Sequence, residues 1–303
     1  MPAYLIRPFR RDDRDQLTRL ANTHIAAVVP GVSISVNTML SSLERRPEEV
    51  ILDPWVIERV TLVAEQDREL VAAAHLLRYD SGAHVTDSFR NAGTVEWFLA
   101  WNRSTLGDDG ALRPVDAAAD ALMTACLAQF APWRVASRRF SGNLPTFAAY
   151  GLSEQWPHIR AVLGRNGWSR ADASSVELLL LAETDRIPRP QRPDLAVRRE
   201  MGELGTRFIA HRDGHDLGHL EVDTNLTQPE RMSRLGGWAD ACREDGEPEV
   251  LRWLYGQVAG WLRLGGVDRL LTYSEPGDPE LELLSRCGFV ELTRTDRSWA
   301  HPG

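Results

Sequence analysis

Apolar and polar residues alternate with a period of two from Tyr4 to Phe9, and the next stretch, RRDDRDQLTRLANTHIAAV, changes to helical spacing. Asp12 or Asp13 is placed to cap that helix. A second helix is expected around Asn37–Leu52. The runs VTLVAEQ and ELVAAAHLL, separated by charged residues, then read as a hairpin. Alternation returns in GTVEWFLAW, Gly93–Trp101, with Glu96 opposite Trp97 and on the side of Phe98 and Ala100. After the polar loop NRSTLGDDGALRP, the alanine-rich VDAAADALMTACLAQFA predicts a helix packed closely on a sheet, and Arg134–Ser137 a further strand. SGNLPTFAAYG has no regular period, WPHIRAVLGRNGW reads as a helix ending at a turn, and VELLLLAE as a strand.

The segment Arg186–Asp194, RIPRPQRPD, holds three prolines in nine residues and marks a linker. Beyond it LAVRRE is a strand, TRFIAHRDGHDLGHLEV a hairpin, RLGGWAD a strand and EVLRWLYGQVAGWLRLGG an amphipathic helix. VDRLLTY and PELELLSRCGF supply the next strand and helix. This order repeats that of the first half without its two early helices. The expected division is residues 1–185, a linker at 186–194, and a shortened second domain at 195–303.

Composition narrows the function classes. The 303 residues are 43% hydrophobic and 26% charged, which supports a substantial core. The net charge of -8 is unfavourable for a nucleic-acid partner, and all 35 basic residues are arginines, so a lysine Schiff base is excluded. Cys126, Cys242 and Cys287 are few and widely spaced, and no run of about 20 apolar residues is present. A cytoplasmic protein without a membrane partner is expected. His211, His215 and His219 recur every four residues, but the DG between short apolar runs favours a hairpin over a helical metal site, so no metal is expected.

The repeated order, with GWLRLGGVDRLLTY followed by ELELLSRCGFVELTR in the second half and RNGWSR at the matching place in the first, resembles the Gcn5-related N-acetyltransferase (GNAT) superfamily in two tandem copies. The resemblance implies an α/β fold (α+β in some schemes) of two GNAT-like acyl-CoA N-acyltransferase domains, each a mixed central sheet flanked by helices. In that superfamily the fourth strand parts from the fifth and leads into a loop of small residues, whose amides and helix dipole hold the pyrophosphate of an acyl-CoA. Counting back from Leu122 places Pro114, Ala117 and Ala119 at the loop's key positions. Counting back from Leu254 gives Gly246, Glu249 and Leu251, with Glu244, Asp245 and Glu247 adding repulsion for phosphate. The second copy is therefore degenerate as a CoA site. The superfamily's tyrosine acid, four residues before the GF pair, is replaced by Leu163 and Leu284.

The resemblance places the chemistry in the first copy. Glu96, in the fourth strand, is the candidate base, and Tyr150 a candidate acid. Phe98, Leu99, Ala100 and Trp101, with Ala117, Ala119, Asp120 and Ala121, are the expected acyl-CoA contacts. Trp97, Ser141 and Asn143 are candidate contacts to a small amine. The implied activity is acyl transfer from acetyl-CoA or another acyl-CoA to that amine. The alternatives are a non-catalytic acyl-CoA or metabolite binder, and a different reaction on the same scaffold.

Overall fold

A computed structural model describes residues 4–44, 53–102, 115–145, 150–171, 176–224 and 237–302. The first half runs β1 (Tyr4–Pro8), α1 (Arg14–Val28), α2 (Val36–Glu44), β2 (Val56–Gln66), β3 (Glu69–Tyr79), β4 (Ala92–Ala100), α3 (Val115–Trp133), β5 (Ser137–Phe140), β6 (Leu152–Ser153), α4 (Pro157–Arg165), β7 (Ser169–Arg170) and β8 (Val176–Glu183). The second runs β9 (Ala196–Met201), β10 (Thr206–Arg212), β11 (His215–Asp223), β12 (Gly237–Gly246), α5 (Pro248–Leu264), β13 (Val267–Ser274), α6 (Glu280–Arg286), β14 (Val290–Asp296) and β15 (Trp299–His301). The end of the helix expected at Asn37–Leu52, most of the NRSTLGDDGALRP loop and the start of RLGGWAD lie outside the described residues.

Local chemistry explains most of these elements. The β2–β3 hairpin turns through Asp67 and Arg68, both at positive φ, and the β10–β11 hairpin through Asp213 and Gly214, also both positive, the geometry that two-residue hairpin loops require. Asp13 is drawn into a buried ion pair with Arg7 at 2.7 Å and accepts from the Arg10 amide, rather than from the first turn of α1. That pairing holds the Asp13 carboxyl below the usual carboxylate range. The strand expected at Arg134–Ser137 begins only at Ser137, because α3 continues through Pro132 and Trp133, and Arg134 turns the chain at positive φ.

The first sheet is ordered β1-β2-β3-β4-β5-β15-β7, with β4 and β5 parallel. The second is ordered β9-β10-β11-β12-β13-β8-β14-β6, with β12 and β13 parallel. The first sheet thus takes β15 from the second half of the chain, and the second takes β6 and β8 from the first. Strand β15 pairs with β5 and β7, whereas β8 pairs with β13.

The compact units are accordingly Met1–Val176 with Thr295–Gly303, and Glu177–Arg294. These bounds differ from the expected 1–185 and 195–303 with a linker at 186–194. Ile187 and Leu195 are buried in the core of the second unit, and a Cβ on Gly256 of α5 would stand 2.7 Å from the Pro188 carbonyl, so the prolines form a packed strap of that unit. Apolar burial outweighs the linker-like composition there.

Candidate functional site

In the first unit β4 is buried along its whole length. Against β3, His75 faces Trp97 and Leu76 faces Val95, which leaves Glu96 as the extra residue of a β-bulge. Against β5, pairing ends at Val95 and Phe140. The Ser141 amide then donates to the Val95 carbonyl at 3.0 Å and the Asn143 amide to the Glu96 carbonyl at 2.8 Å. From Trp97 to Ala100 the strand pairs, among the described residues, with β3 alone. Glu96 thus stands where β4 and β5 part, and the bulge interrupts the alternation from which its side was read.

Glu96, Ser141, Asn143 and Tyr150 line one cavity of about 160 Å³, together with Asp53, Tyr79, Phe89 and Arg297. Asn143 ties its parts together. Its Nδ2 donates to Glu96 Oε1 at 3.4 Å, and its Oδ1 accepts from the Gly151 amide at 3.0 Å. Gly142 and Gly151 both have positive φ, and a Cβ on Gly142 would lie 2.6 Å from the Gly151 carbonyl carbon, so the two loops touch through backbone. The guanidinium of Arg297 lies 4.3 Å from the centre of the Tyr150 ring. Next to it, buried Asp296 receives Arg160 at 2.5 Å and Arg170 at 3.0 Å. Thr295 and Asp296 also pair with Ser153 and Leu152.

The remaining expected contacts fall elsewhere. Trp97 does not line the cavity; it is buried and stacked on His75, with ring centres 5.5 Å apart. Phe98, Leu99 and Ala100 are buried, and Trp101 donates its indole N–H to the Leu70 carbonyl. Ala117, Ala119, Asp120 and Ala121 lie in the first two turns of α3. There Ala117 is exposed, Ala119 is buried, and Asp120 holds Arg165 at 3.0 Å and Asn166 at 3.0 Å. Arg297 gave no local signal in the sequence because its place depends on the C-terminal strand joining the first sheet, and Asp53 is brought in by its 2.7 Å pair with Arg59.

His24 and His158 form a pair that sequence reasoning missed, with Nε2 to Nε2 at 3.1 Å. His24 Nδ1 lies 2.9 Å from the Leu20 carbonyl, so it carries the proton and His158 Nε2 donates to His24 Nε2. Burial pushes His24 down to about 3 and lowers His158, so both rings are neutral at pH 7. The Ala100 carbonyl acts on both rings, which places them at the end of β4.

Among the described residues no strand pairs with β4 on its β5 side beyond Glu96, and backbone N–H and C=O groups there are of the kind that the amides of an acyl-CoA arm pair with. The loop that would hold the pyrophosphate lies outside the described residues. The second unit does not fit the same group. There Glu221 faces Arg243 and Val222 faces Ala241, a bulge at Cys242, and pairing with β13 ends at Asp240. Strand β12 then runs to Gly246, and Glu247 alone separates it from α5. No chain is left for a phosphate loop, and Glu249, in the first turn of α5, is bound by Arg286 at 2.5 Å. Tyr255 donates to Glu244 Oε2 at 2.7 Å, while Leu163 and Leu284 are both buried.

His211, His215 and His219 lie on the two strands of a hairpin, and no group of three metal-ligating side chains occurs among the described residues. Cys126 and Cys287 are buried thiols. Burial pushes Cys287 up to about 12 and Cys126 higher still. Among the described residues no helix is long and apolar enough to cross a membrane.

No protein-family model matches this chain, and no curated protein does. Solved structures do. The GCN5-related glucosamine N-acetyltransferase region of a fungal multi-domain GH3 beta-N-acetylglucosaminidase is 15% identical with a TM-score of 0.60, over 99% of this chain and 38% of that one. A tandem GNAT protein from the clavulanic acid biosynthesis pathway is 14% identical with a TM-score of 0.62, over 98% of both chains. A GCN5-related N-acetyltransferase from Sphaerobacter thermophilus is 12% identical with a TM-score of 0.55, over 99% of this chain and 96% of that one. With two bulged sheets, each parallel where its fourth and fifth strands meet, matched along nearly its whole length, this chain has the tandem GNAT fold.

Proposed function

We propose that the chain is an acyl-CoA-dependent N-acyltransferase for a small amine, with its one site in the first unit. The observation that carries this reading is the bulge that sets Glu96 at the parting of β4 and β5, in one cavity with Ser141, Asn143 and Tyr150. Bound acyl-CoA would supply the thioester that the amine attacks. Glu96 accepts the proton from the ammonium group and frees the nitrogen lone pair. Asn143 holds Oε1 of that carboxylate and fixes its direction. Tyr150, in the same cavity, is the candidate donor to the departing sulfur. The half-sheet from Trp97 to Leu99, which among the described residues pairs only with β3, holds the donor arm by its backbone groups, and the N-terminus of α3 favours the phosphates.

A second reading, a binder without turnover, draws support from Leu163, which stands buried where the superfamily's tyrosine acid would be. Calorimetry with acetyl- and propionyl-CoA, followed by free-thiol release with an amine panel, separates the two. Binding with thiol release supports the transferase, and binding without release supports the binder. If neither donor binds, both fail.

A further inference from the structure

The cavity of the first unit has an apolar wall with a small core of its own. Leu77, Tyr79 and Ala92 form a buried cluster, and Trp55, Val56 and Phe89 pack against it while staying partly exposed. Val56, Leu77, Tyr79 and Phe89 all line the cavity, in company with the polar Glu96, Ser141 and Asn143. An apolar wall with a few polar groups is the usual make-up of a small-molecule site.

Chain geometry builds this wall. Val56 opens β2 and is the register partner of Tyr79 at the end of β3, while Leu77, two residues before Tyr79, shares its face of the strand. Phe89 is fixed by its backbone, its amide donating to the Thr86 carbonyl at 2.9 Å and its carbonyl accepting from the Ala92 amide at 3.0 Å. Its ring lies 4.9 Å from that of Tyr79, tilted by 54°, and the Arg139 guanidinium stands 5.1 Å from its centre. A wall held in this way is preorganised, so a ligand that covers it pays little to order it. The cavity's 160 Å³ is close to the ~150 Å³ of an apolar cavity that takes up one benzene.

We infer that the acceptor is a primary amine bearing one compact apolar group, of the size of a single ring, seated against Val56, Leu77, Tyr79 and Phe89, which makes Phe89 and Val56 residues that select the acceptor. This rests on the acyltransferase reading for its reaction but not for its binding. The test is calorimetry on the whole chain, without acyl donor, using benzylamine and cyclohexylmethylamine against methylamine and ethanolamine. The better ring-bearing amine is expected to bind at least about tenfold tighter than the two small amines, a difference of about 1.4 kcal/mol. Phe89→Ala should erase most of that preference. Val56→Thr, which keeps the shape and replaces a methyl by a hydroxyl, should lower it about threefold. Circular dichroism shows whether each variant folds, and Val56→Thr decides alone if Phe89→Ala does not.

Equal binding of the two classes, a preference that the folded variants keep in full, or no binding at all would overturn the inference. Free-thiol release with acetyl-CoA is scored separately. A preference that depends on Phe89 or Val56 without thiol release leaves the apolar amine standing as the ligand and removes the transferase. Thiol release with methylamine or ethanolamine and no gain from a ring does the reverse.

Discussion

Strands β4 and β12 hold the same place in their sheets, each bulged against the strand before it and parallel to the strand after it. Past the bulge they differ. In the first unit four residues of β4 continue past the parting of the sheet, and 14 residues, Trp101 to Pro114, lie between that strand and α3. In the second unit a single residue joins the strand to its helix, and the carboxylate after the bulge, Glu244, is consumed by Tyr255. A cofactor loop is thus removable without loss of the sheet, because the core of the second unit, with Tyr255, Leu254 and Phe289 buried together, does not depend on it. The fold is held by packing, whereas the chemistry proposed for the first unit would depend on one bulge and one connection.

The sharpest way to break this contrast is to neutralise each of the two carboxylates in turn. Glu96→Gln is expected to lower the turnover number by about 10²–10⁴, as removal of a general base does, while Glu244→Gln leaves it unchanged. Thiol-release kinetics on both variants checks this, and a fall in the second variant alone would reverse the assignment of the active unit.

Next in size is Gly151→Ala. Its φ of +91° and the contacts of 3.0–3.1 Å to Arg297, Asp296 and Thr295 predict a loss of about 1–3 kcal/mol. Urea unfolding reads the loss, and the acceptor KM is expected to rise with it, since Tyr150 and Arg297 move together.

The second unit carries a pH dependence that the first does not explain. Burial, opposed by the Tyr255 hydrogen bond and reinforced by Glu280, raises Glu244 to about 7 from 4.5. Between those values the folded chain binds the proton more tightly than the unfolded chain does. This contribution to stability is therefore fully present below about 4.5 and is lost as pH rises toward 7. Urea midpoints at pH 5 and pH 7.5 should differ less for Glu244→Gln than for the native chain. An equal difference would show that Glu244 is not the source. Smallest is Tyr255→Phe, which removes one hydrogen bond to a carboxyl and is expected to cost roughly 1 kcal/mol by the same unfolding measurement.

Most of the longer strands and helices and both hairpins were legible because each rests on local periodicity and on turn residues such as Asp67 and Gly214. Glu96, Ser141, Asn143 and Tyr150 were singled out by their place around the fourth and fifth strands, and the structure brings all four to one cavity. Three features escaped, each of them long-range. The exchange of β8 and β15 between sheets leaves no mark in either strand's own residues, so the domain division fell at the prolines instead. Arg297 reaches the cavity only through that exchange. His24 and His158 are 134 positions apart and meet only once α1 and α4 pack near β4. Trp97 stacks on His75 outside that cavity's lining, a neighbour that a strand's alternation does not show.

The central claim is one acyl-CoA site per chain, in the first unit. Isothermal titration of the whole chain with acetyl-CoA measures it directly. A stoichiometry of one per chain is the expected result, since Glu247 alone leaves the second unit no loop to hold a diphosphate. A stoichiometry of two, or no binding, would contradict it.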